Sequence, residues 1–152
     1  MISFYSSNVD VFQYNKVFSN SENKRLFIKA WNLLESFRLG ELPTHQVFDI
    51  EKLSKYIVIT EIFGASHGNV WFNLRFYYNP ITSLLEPIGF DGMAGTEMKL
   101  IVENLSSTID PMFYDLVFND TLFVQAHIKH LKHFSQPNYL DNLFSIISEE
   151  HN

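Results

Sequence analysis

Three polar residues in one stretch of this sequence have the chemistry of a phosphoryl-transfer centre: His67, Asn73 and Asp91, the last followed by Gly92. An imidazole accepts a proton near neutral pH. An amide oxygen and a carboxylate are hard donors of the kind magnesium takes, and magnesium keeps several waters, so two protein ligands suffice. A glycine after the carboxylate lets the backbone turn away beneath a phosphate. Each residue also has a plainer role. His67 can be solvated or pack on Trp71, Asn73 can bond a neighbouring loop, and Asp91 before Gly92 can cap a turn.

The elements that must position these residues read as a β-hairpin. Residues 71–78 are dense in aromatic and β-preferring types, and residues 84–90 form a second apolar run. Between them Asn79, Pro80 and Ser83 supply turn chemistry. A hairpin returns its second strand to the level where the first began, so Asn73 at the strand start, the loop around His67, and Asp91 are expected at one edge. Glu86 is expected to pair with Arg75 across the strands.

Around the hairpin the pattern is helical. Leu26, Phe27, Ala30, Trp31, Leu34 and Phe37 share one face, with Ser19 and Glu22 at capping-box spacing and Gly40 as a stop. Asp49 can cap a second helix, with Phe48 and Leu53 as its staple and Gly64 at its end. A short helix is expected over 97–105. Others are expected from Pro111, over 121–134, and from Pro137. His127, His130 and His133, interleaved with Lys129 and Lys132, read as a solvated basic face. A transition-metal pair at His127 and His130 is the alternative. Trp31 and Trp71 are expected in the core, and residues 1–20 read as an irregular lead or as structure whose partner lies elsewhere.

The fold class is therefore α+β and mostly helical, with helices around a small antiparallel hairpin, in a single domain over 1–152. The chain has 152 residues, 46% apolar and 16% aromatic, enough for a sizeable core. Its net charge of −6 with scattered basic residues does not support nucleic-acid binding. No apolar run approaches the roughly 20 residues of a membrane span. The N-terminus lacks signal-peptide character, which leaves the cytoplasm as the default compartment. With no cysteine, disulfides and thiolate metal sites are excluded.

The run from Phe48-Asp49 through Tyr56, then WFNLRFYYNP, then EPIGFDG resembles the CotH-like spore-coat kinase family, which has an atypical protein-kinase fold. The resemblance covers 48–92. It implies that the chain is the C-terminal lobe of such a fold and that Asn73 and Asp91 match the family's magnesium ligands. It also implies that Gly92 lies at the nucleotide, with Mg2+ and ATP as cofactors and a protein hydroxyl as acceptor. Three departures stand out, one being that Gly92-Met93-Ala94-Gly95 follows Asp91 where the family continues with a further acidic residue. Residues 65–72 hold no carboxylate where the family has its catalytic aspartate, and His67 is the nearest substitute. The segment before Phe48 is also too short for an N-terminal lobe, which a partner chain or a longer parent would supply. The alternative is a non-catalytic kinase-like module acting in protein–protein interaction or self-association through an apolar face on the hairpin or the N-terminal segment.

Overall fold

The computed structural model describes residues 4–98, 101 and 111–150. In chain order the elements are α1 (Tyr14–Phe18), α2 (Ser21–Arg38), α3 (Thr44–Val47), α4 (Ile50–Ile62), two 3₁₀ turns (Ser66–Asn69 and Trp71–Asn73), β1 (Arg75–Asn79), β2 (Leu84–Ile88), α5 (Pro111–Phe118), α6 (Thr121–Phe134) and α7 (Tyr139–Glu150). The fold is α+β and mostly helical, with one two-stranded antiparallel sheet among the described residues. The helix expected over 97–105 lies largely outside the described residues.

The helix boundaries follow local chemistry. Asn20, one residue after the expected Ser19, caps α2 by accepting from the Asn23 amide at 2.9 Å. Asp49 caps α4 through the Lys52 amide at 3.1 Å, and Phe48 and Leu53 are both fully buried beneath that cap. Asp120 caps α6 through the Leu122 amide. Both α2 and α4 end in paired reverse-turn bonds. Glu41 N–H reaches the Ser36 carbonyl and Ala65 N–H the Thr60 carbonyl, each closed over a glycine of positive φ, Gly40 and Gly64.

The core is aromatic, and Phe113 on α5 is at its centre. Its ring meets Phe4, Phe37, Phe48, Trp71 and Tyr114 at centroid distances of 5.0–6.4 Å, mostly edge to face. A fully buried Phe of this kind stabilises by about 2–3 kcal/mol. Helix α4 packs along α6, and the hairpin lies against α4. Phe48 bridges to Leu85 of β2, where the Asp49 amide donates to the Leu85 carbonyl at 2.9 Å.

The N-terminal lead is structured from residue 4. Phe4 is buried edge-on to Trp71 at 4.6 Å, and the Trp71 indole donates to the Ser7 hydroxyl. Arg38 is buried over the Phe4 and Trp71 rings, with Nη1 donating to the Ser7 carbonyl at 3.0 Å and to Glu35 at 2.7 Å. Trp71 is core as expected. Trp31 is not: its side chain faces outward beside the lead and is 43% exposed.

The hairpin register sets Arg75 opposite Ile88 and Tyr77 opposite Glu86. Glu86 therefore does not face Arg75. It pairs with Lys52 of α4 at 2.7 Å and accepts from Asn79 Nδ2 at 2.8 Å. Arg75 instead donates to the Phe72 and Leu74 carbonyls and stacks over Phe90 at 4.6 Å. Asn79 Oδ1 accepts from the Ile81 amide, the side-chain turn that its sequence suggested.

Candidate functional site

The end of α4 is the foundation of the site. Gly64 sits at φ +58, and a Cβ there would fall onto the Thr96 carbonyl. That close approach carries the 92–96 segment back across the helix end. Gly95 N–H donates to the Phe63 carbonyl at 2.9 Å, and the Thr96 hydroxyl donates to the Gly64 carbonyl.

The 3₁₀ turn that follows presents three successive carbonyls, each accepting from a side chain. Asn73 Nδ2 donates to His67 O at 3.0 Å, the Tyr56 hydroxyl to Gly68 O at 2.9 Å, and the Tyr114 hydroxyl to Asn69 O at 2.5 Å. The Asn69 amide in turn donates to the Thr60 hydroxyl at 2.6 Å. A turn pinned at consecutive peptide units presents the His67 side chain in a fixed direction. Sequence reasoning did not single out Tyr56, Asn69 or Tyr114 for this role. Their partners are non-local, and only a polar tip on an otherwise apolar helix face hinted at it.

The hairpin then does what its pattern predicted. With Arg75 opposite Ile88, residues 89–91 return to the level of Asn73. His67 Nε2 lies 3.3 Å from Asp91 Oδ2, with the two side chains 37% and 48% exposed. Asp91 adopts φ +44, a conformation aspartate tolerates better than most residues. A Cβ on Gly68 would meet Gly92 Cα at 3.2 Å, so Gly68 and Gly92 let the two backbones touch. The structure thus brings His67, Asn73, Asp91 and Gly92 to one edge. One detail differs from expectation: Asn73 is in a 3₁₀ turn rather than at a strand start, and β1 begins at Arg75.

Beside this edge is an open groove of about 420 Å³, lined by Tyr56, Ile59, Phe90, Asp91 and Gly92 among others. Burial holds the Tyr56 phenol above its usual range, so at neutral pH it is a donor. Phe72 packs edge-on to the His67 ring at 6.2 Å.

Asp91 and Asn73 carry oxygen donors of the kind magnesium takes, with Asp91 half exposed and Asn73 buried, 5% exposed. Asp91 has a second carboxylate oxygen besides the one facing His67. The Asn73 amide is oriented by its Nδ2 bond, which makes Oδ1 its accepting end. Among the described residues no group of three or more His, Asp or Glu side chains could hold a metal ion.

Of the three α6 histidines His133 is exposed as expected, but the other two are not on a solvated face. His127 and His130 are buried against α4, with His127 Nε2 3.6 Å from Glu61 and His130 Nε2 3.1 Å from Glu51. These two carboxylates sit at opposite ends of α4, roughly 15 Å apart at 1.5 Å per residue, so the imidazoles address separate points. Burial first, then the charge of His130, pushes His127 down to about 4.

No family model, no curated protein and no solved structure matches this chain. Among the described residues no helix is long and apolar enough to cross a membrane.

Proposed function

We propose that this chain is a CotH-like atypical kinase domain of the C-terminal-lobe type, binding magnesium-ATP at Asn73 and Asp91 for phosphoryl transfer to a protein hydroxyl. The observation that supports it is the meeting of His67 and Asp91 at 3.3 Å, contributed by segments on either side of the hairpin, beside an open groove. The Asp91 carboxylate, 3.3 Å from Nε2, would pair electrostatically with that side of the His67 ring and leave Nδ1 for the acceptor hydroxyl's proton. Asp91 Oδ1 and Asn73 Oδ1 would hold the cation, and Gly92 would let the backbone pass beneath the phosphates. Bound magnesium supplies charge neutralisation on the phosphate oxygens. The test is ATP titration with and without magnesium in the wild type and in Asp91→Ala.

A second function, a non-catalytic interaction module, is favoured by Asn73 and by the surface. Asn73 is only 5% exposed and its amide is directed inward, which suits a structural role. Phe72 in the second 3₁₀ turn, Ile81 and Phe90 on and just after the hairpin, and Phe12 and Tyr14 in the lead are exposed. On this alternative ATP produces no response, and light scattering shows more than one species.

A further inference from the structure

We infer that Tyr56 is a positioning residue of this site: its hydroxyl seats the His67–Gly68 turn against residues 90–92 and thereby sets His67 against Asp91. This rests on the functional proposal above and adds to it a residue from α4.

The contact is built from both sides. The Tyr56 hydroxyl donates to the Gly68 carbonyl at 2.9 Å. A Cβ at Gly68 would meet that same hydroxyl oxygen at 3.0 Å, Gly92 Cα at 3.2 Å and the Phe90 carbonyl oxygen at 3.2 Å. Gly68 is thus wedged between the helix that carries Tyr56 and the segment that carries Asp91, with no space left over. Of the three side chains that hold the turn's carbonyls, Tyr56 alone also lines the groove with Asp91.

The hydroxyl is separable from the fold. Helix α4 is fixed by its Asp49 cap and its Gly64 terminus, and the Tyr56 ring packs against the core whether or not it carries oxygen. Tyr56→Phe therefore keeps ring and helix and removes only the bond to Gly68. Gly68→Ala opens the same seam from the other side.

The experiment records the His67 ring ¹⁵N and ¹³C resonances in the full chain for wild type, Tyr56→Phe, Gly68→Ala and Asp91→Ala, together with magnesium-dependent ATP affinity. Both seam variants are expected to move the His67 ring signals toward their positions in Asp91→Ala and to weaken magnesium-ATP binding about fivefold. His67 signals in Tyr56→Phe that coincide with wild type overturn the positioning role. If the wild type binds no magnesium-ATP the functional proposal fails, while the ring signals still decide whether Tyr56 sets His67 against Asp91. A Tyr56→Phe chain that fails to fold would show that the hydroxyl is not separable from the fold and would overturn the positioning role.

Discussion

His67 Nε2 and Asp91 Oδ2 stand 3.3 Å apart although a complete β-hairpin separates them in the chain. Two glycines make that meeting possible in different ways. Gly64 takes the left-handed conformation that ends α4 against the Thr96 backbone, and Gly68 leaves room for Gly92 and Phe90.

The cost of a methyl group at Gly64 should exceed that at Gly40. Both have positive φ, +58 and +71, and both close a helix C-terminus. At Gly40 nothing lies within 4 Å of an added Cβ, so Gly40→Ala carries only the left-handed penalty, about 1 kcal/mol. At Gly64 the Thr96 backbone occupies the space, and the loss should exceed about 3 kcal/mol. Denaturant midpoints measure the difference. Equal losses would mean that the 92–96 segment does not press on the helix end.

Acid should destabilise the protein through His127. Its folded-state value is lowered from 6.5 to about 4, so between those pH values the unfolded chain binds a proton that the folded chain refuses. Stability contributed by the neutral buried ring is complete above pH 6.5 and falls as pH drops toward 4, by of order 2–3 kcal/mol. Burial of the ring is the leading cause, and the neighbouring charge of His130 acts in the same direction. His127→Leu should flatten this part of the stability curve. Parallel curves for the two proteins would show that His127 is not held neutral.

Removing the Arg38 side chain should release the N-terminal lead. Arg38→Ala loses the bonds to Ser7 and Glu35 and the packing over Phe4 and Trp71, about 2 kcal/mol in all. Limited proteolysis in native buffer should then cleave residues 5–13 faster than in the wild type. An unchanged cleavage rate would place the lead's attachment elsewhere.

Much of this architecture was legible because its signals are local. Asp49, Phe48 and Leu53 announce the start of α4, Gly64 its end, and Asn79-Pro80 the hairpin turn, and each does in space what its chemistry suggests. That His67 and Asp91 share one edge followed from the hairpin pattern, whereas the Gly64, Gly68 and Tyr56 contacts that close the approach were not visible in it. What escaped depends on contacts between distant segments. Glu86 turned to Lys52 because α4 packs beside β2, a pairing no cross-strand rule contains. His127 and His130 looked basic beside Lys129 and Lys132, yet α6 turns the histidines toward α4 and leaves the lysines exposed. Trp31 lies on the apolar face of α2 by spacing, but the lead that passes it leaves the ring partly open.

The central claim is that Asp91 holds a magnesium-nucleotide, and Trp fluorescence tests it most directly, since Trp71 lies in the turn leading to Asn73. ATP is titrated into wild type and Asp91→Ala, with and without magnesium. The proposal predicts saturable binding by the wild type only when magnesium is present, weakened at least about tenfold in Asp91→Ala. No response from the wild type, or binding indifferent to both magnesium and Asp91, would contradict it.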